Sequence, residues 1–135
     1  MKKLIFFCFM VLPFFGTVLN SFPKEAIKVD VLYMNHGPMR PTLRNLDDLF
    51  SSYGSKIAVS RHDFESKEGE QFKAQKGIRG HVPLAIWIEG KSTVQVDGKP
   101  VTFSGFPTGS GPSFFQGKWD IDDLKMALDQ ATSKN

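Results

Sequence analysis

Apolar positions recur along this chain with two different periods, and the changes of period mark its elements. Ile27–Met34 (IKVDVLYM) is a β-rich run of the kind buried in a sheet. After Asn35–Pro41 (NHGPMRP) the period lengthens. Leu43, Leu46, Leu49, Phe50 and Tyr53 fall on one side of a helix, and Gly54 ends it. Pro38 and Pro41 stand where a helix start has no N–H partner to lose. Lys56–Phe64 (KIAVSRHDF) predicts a second strand. The segment SKEGEQFKAQKG has Ser66 as a cap, Gly77 as a stop and little apolar surface beyond Phe72, so it predicts a short, mostly exposed helix. Leu84–Ile88 predicts a third strand. Val94 and Val96 then alternate with polar neighbours, Asp97-Gly98 supplies a hairpin turn, and Val101 and Phe103 resume the alternation. A loop over Phe106–Gly117 carries Gly, Pro, Ser and three Phe. The last helix begins at Asp120 as cap with Asp123 in its first turn. Trp119 and Leu124 are placed as a hydrophobic staple, and Ile121, Leu124 and Leu128 form its buried stripe.

The predicted order is β-α-β-α-β-β-β-α, an α/β fold with two right-handed crossovers, a hairpin and a closing helix. The 135 residues suffice for one modest domain. Ahead of it, MKK precedes an apolar stretch, Leu4–Leu19, shorter than the roughly 20 residues a spanning helix needs. This reads as a secretion signal over residues 1–21, cut between Gly16 and Ser21, with residues 22–135 as the mature domain. An uncleaved N-terminal anchor is the other reading. Either places the domain outside the cytoplasm, periplasmic or secreted.

Charge and cysteine content narrow the chemistry. The net charge is +3, and without Lys2 and Lys3 the chain holds 15 basic against 14 acidic residues. That balance supplies no electrostatic basis for nucleic acid, and a membrane enters only through the leader if it is kept. Cys8 is the only cysteine and lies in the leader, so cleavage leaves no thiol for a disulfide or a thiolate metal site.

Two segments carry a resemblance to the thioredoxin-like superfamily. The strand, the turn His36-Gly37-Pro38-Met39-Arg40 and the helix resemble that family's Cys-Gly-Pro-Cys turn and following basic residue, with His36 and Met39 in place of the thiols. Lys76–Leu84 (KGIRGHVPL) is similar to the segment that carries the family's cis-proline, with Pro83 as that proline and one extra residue around His81. The resemblance covers Ile27 to Gln130 and is weakest over Phe106–Gly117. It implies a three-layer sandwich with a mixed central sheet, and a site at Asn35–Arg40 together with His81, Val82 and Pro83. Disulfide exchange needs a nucleophilic thiolate and a resolving thiol. The resemblance therefore implies the scaffold and the site, not that reaction.

Three functions follow as expectations. The first is binding of a peptide, protein or small ligand beside the His36–Met39 turn and the Pro83 segment. The second is a copper or soft-metal carrier using His36, Met39 and His81, because imidazole with thioether suits Cu(I). The third is an accessory to another protein's thiol chemistry. All three histidines, His62 included, are expected toward one sheet edge. No catalytic residue is assigned: His62 and Asp63 are adjacent in a strand and point to opposite faces. Phe106, Phe114, Phe115 and Trp119 read either as anchors that pack the long loop or as an exposed recognition cluster.

Overall fold

The structure, a computed structural model, describes residues 24–134; the leader assigned to residues 1–21 lies outside the described residues. The elements follow the expected order: β1 (Ile27–Tyr33), α1 (Arg40–Ser51), β2 (Ile57–Asp63), α2 (Lys67–Lys76), β3 (Leu84–Ile88), β4 (Thr93–Val96), β5 (Lys99–Thr102) and α3 (Ile121–Lys134). A mixed sheet of three strands has the order β2-β1-β3. β2 runs parallel to β1, from Ile27 opposite Ile57 to Tyr33 opposite Asp63. β3 runs antiparallel to β1, with Val31 opposite Ile86. β4 and β5 form a hairpin whose turn residues Asp97 and Gly98 have φ of 50° and 75°. Two left-handed residues in succession are the turn that matches strand twist. Beyond β5 the chain returns to β3, where Ile86 N–H donates to the Phe103 carbonyl at 2.9 Å.

Alternation along the strands divides the core between the two faces of the sheet. Ile27, Val29 and Val31 of β1 and Leu84, Ile86 and Ile88 of β3 join Leu46 and Phe50 of α1 and Leu124 and Leu128 of α3 in one buried cluster. Leu32, Ala85 and Trp87 face the other way and meet Phe72 of α2. A single large apolar side chain thus docks α2, as its polar sequence predicts. The caps also form as read: Gly69 N–H donates to Ser66 Oγ at 2.9 Å, and Asp120 and Asp123 exchange bonds with each other's backbone N–H at 2.8 and 3.0 Å.

Asp30 is a buried carboxylate, 3% exposed, in the middle of β1. Its Oδ1 lies 3.1 Å from Nε2 of His62, and Lys28 Nζ lies 3.8 Å from Oδ2. The His62 ring stacks on Phe72 with centroids 3.7 Å apart, and Phe72 meets Trp87 edge-on at 5.2 Å. The pairing satisfies a carboxylate that would otherwise be costly to bury. His62 is therefore held on the α2 face of the sheet. It stands near the carboxyl end of β2, toward the expected edge, but its register with Leu32 turns it to the Leu32 face, and it does not share the surface of the other two histidines.

Tyr53 ties the end of α1 to α3. Its hydroxyl donates to Asp129 Oδ1 at 2.7 Å and lies 3.1 Å from the Lys125 carbonyl. Burial, reinforced by the Asp129 carboxylate, holds the phenol above its ordinary range. The raised value favours the neutral phenol in the folded protein. Its stabilisation is present below about pH 10, the unfolded value, and is lost as pH rises beyond that. Tyr53→Phe is expected to cost ~1 kcal/mol near neutral pH and to flatten the alkaline fall in stability. Urea melts of both proteins at pH 7 and above pH 10 measure both effects.

Candidate functional site

The site begins where β1 ends. Met34 N–H donates to the Pro83 carbonyl at 2.9 Å, which fastens the segment before β3 to the end of β1. The next residues turn sharply: His36 N–H donates to the Met34 carbonyl at 2.9 Å and Met39 N–H to the His36 carbonyl at 3.0 Å. Gly37–Met39 is a 3₁₀ turn that leads into α1, with Pro41 in the helix's first turn. Met39 points inward and is 1% exposed, whereas His36 stays at the surface with Nε2 3.4 Å from Glu65 Oε1.

The Val82–Pro83 bond is trans; among the described residues no peptide bond is cis. The expected cis-proline is thereby overturned. The chain enters Pro83 in the ordinary trans form, which is favoured by about 0.5–1 kcal/mol.

The long loop after β5 supplies the third wall. It is closed at its base by Phe106 N–H donating to the Phe115 carbonyl at 2.9 Å and Gly117 N–H to the Phe106 carbonyl at 2.7 Å. Gln116 braces the tip by bonding Gly109 N–H and the Gly111 carbonyl, each at 3.3 Å. Thr42 Oγ1 meets Ser110 Oγ at 2.7 Å and pins the loop to the first turns of α1. Trp119 Nε1 donates to the Ser104 carbonyl at 3.3 Å and its ring packs edge-on against Phe103 at 5.3 Å. Phe106 and Trp119 are buried anchors, while Phe114 is 79% exposed and lies 4.5 Å from Phe115, ring to ring. Packing thus accounts for Phe106 and Trp119, while Phe114 stands at the surface.

These three walls enclose a cleft of about 280 Å³. His36, Pro38, Met39, His81 and Pro83 line it, as expected, and the structure adds Met34, Phe106, Pro112 and Phe115. Asn35, Gly37 and Arg40 are exposed and do not line it, and Val82 packs instead toward the Phe72 cluster. Among the described residues no carboxylate, ammonium or guanidinium lines the cleft. Such a surface offers apolar contact, with two imidazoles able to direct hydrogen bonds. A signal for the missed wall was present: three Phe in a Gly/Pro/Ser-rich loop mark a loop that packs. At the opposite end of the sheet a groove of about 460 Å³ runs between β4 and α3, with Lys91, Glu89 and Lys134 among its lining.

Among the described residues no three His, Cys, Asp or Glu converge as a metal site. The soft donors that share the cleft are Met34, His36, Met39 and His81. Among the described residues no helix is long and apolar enough to cross a membrane. No protein-family profile matches the chain, and no curated protein matches it in sequence.

Proposed function

We propose that this is an extracytoplasmic binding protein built on a thioredoxin-like three-layer sandwich, and that it holds a peptide segment of a partner in the cleft beside His36–Met39 and Pro83. The observation that carries the reading is the cleft itself: an almost wholly apolar recess at the carboxyl end of β1, with the exposed Phe114 beside Phe115 at one wall. Open α/β sheets place ligands at that edge. The parallel β1–β2 pair, the antiparallel β3 and the clusters on both sheet faces support the fold assignment. The leader-like sequence supports the location. With no cysteine after residue 8, binding is reversible and independent of reductant. An accessory role in another protein's thiol chemistry draws no support from this cleft.

Display selection of random peptides on the intact protein tests the proposal. Selected peptides are expected to bind equally with and without dithiothreitol, and at least tenfold more weakly to Phe115→Asp. Phe114→Ala should leave stability within about 0.5 kcal/mol, yet weaken binding by up to ~2 kcal/mol if Phe114 is a contact anchor. Peptides that bind Phe115→Asp as tightly as wild type would sink the assignment.

A second reading, a Cu(I) carrier, is favoured by one observation: two thioethers and two imidazoles line the same cleft, and soft donors of this kind select Cu(I). Competition with a chromophoric Cu(I) chelator tests it. A carrier takes one equivalent, more weakly in Met39→Leu and as acid protonates the imidazoles. Failure to compete with the chelator removes copper from the account.

A further inference from the structure

The cleft does not end at His81. On the far side of that ring lies a second, more open depression of about 380 Å³, which shares Met34 and His81 with the cleft and adds Phe64, Glu65, Glu70 and Lys73. Its charges are not equivalent. Lys73 is held over the Phe64 ring, with Nζ 3.7 Å from the centroid. Glu65 faces His36 at 3.4 Å. Among the described residues no cationic side chain lies within 4 Å of the Glu70 carboxylate. Crossing His81 therefore takes a ligand from an apolar recess to one with an unpaired carboxylate.

The spacing suits an extended chain. The His81 ring lies 5.3 Å from Phe115 on the cleft side and 6.2 Å from Phe64 on the other. In an extended peptide, side chains two positions apart lie on the same side, roughly 6.6–7 Å from each other. The two depressions meet at the His81 ring, so successive same-side residues of one extended segment can enter both. We propose that the two depressions form one groove for an extended peptide with an apolar residue and, two positions away, a lysine or arginine. The apolar residue occupies the cleft. Because Lys73 covers Phe64, the basic residue lays its methylene stem along Met34 and the His81 ring and brings its charged head to Glu70 and Glu65. An acidic residue there meets Glu70 and is repelled. The inference rests on the peptide-binding reading and adds the sequence pattern that the peptide must carry.

Fluorescence anisotropy with short labelled peptides tests it. The probes are Gly-Gly-Phe-Ser-Lys-Gly and its reverse order, each compared with the peptide in which Glu replaces Lys. One chain direction is expected to bind, and the Lys-to-Glu exchange to weaken that binding about fivefold at low salt, less at high salt. In Glu70→Gln the Lys and Glu peptides should bind within about a factor of two of each other. Phe-containing peptides that bind equally with Lys or Glu in wild type would overturn the pattern and leave the peptide-binding reading standing. Failure of these probes and of display-selected peptides alike would overturn both.

Discussion

Replacing Trp119 with alanine is expected to destabilise the protein by about 3–5 kcal/mol, the range for removing a large aromatic from a packed core. Trp119 is 1% exposed and sits in the cluster that joins α1, α3 and the inner face of the sheet. Its loss opens a cavity against Phe103 and frees the Ser104 carbonyl from its indole partner. It also removes the side chain that anchors the end of the long loop, leaving there only the backbone bond from Thr108 N–H to the carbonyl of residue 119, at 2.7 Å. Domains of this size are stable by only about 5–15 kcal/mol, so the effect is a large share of the total. With a urea m-value of about 2 kcal/mol/M, the unfolding midpoint should fall by roughly 2 M. Trp119→Phe keeps most of the volume and should lose much less. Equal losses in the two variants would mean that the ring does not fill the core as described.

The second large effect comes from adding a single methyl group. Gly69 is buried in the first turn of α2. Helix propensity alone makes Gly69→Ala stabilising by about 1 kcal/mol. The surroundings reverse the sign. A Cβ built at Gly69 lies 1.7 Å from the Asp63 carbonyl oxygen and 2.7 Å from its carbon, so the obstacle is backbone. That carbonyl is fixed by Ser66, whose N–H and hydroxyl both bond to it, at 3.1 and 2.9 Å. α2 must move away from the end of β2, and crowding of this kind costs about 1–3 kcal/mol. Gly69→Ala is therefore expected to be at least ~1 kcal/mol less stable than wild type by thermal melting, and to shift Glu65 and Glu70 relative to the cleft. A variant more stable than wild type would contradict the packing between α2 and β2.

Much of this architecture was legible because it is local. Ser66 and Asp120 announce helix starts through bonds that span three residues, and Asp97-Gly98 announces its turn through backbone freedom. The apolar period of Leu46 and Phe50 selects the face of α1 that is buried. What was not legible depends on contacts distant in sequence. A charged residue inside the apolar run of β1 signals a partner, but only the register of β1 with β2 identifies His62 as that partner for Asp30. The same register carries His62 away from the cleft. The turn at His36–Met39 marks one wall from the sequence. The wall made by Phe106, Pro112 and Phe115 depends on Thr42 meeting Ser110 across 68 positions, and no local pattern encodes that. The trans bond at Pro83 was not legible either: the family resemblance pointed to cis, and the bond is trans.

We propose the recess between the Gly37–Met39 turn, the Pro83 segment and the Phe106–Gly117 loop as the binding surface. Amide chemical-shift mapping of the isotope-labelled protein, titrated with a peptide selected on the intact chain, tests it most directly. Binding in the recess is expected to concentrate the shifts at Met34, His36, Met39, His81 and Phe115, saturating with the measured affinity. Shifts concentrated instead at Val94, Ala127 and Ala131, in the groove between β4 and α3, with those five amides unmoved, would contradict it.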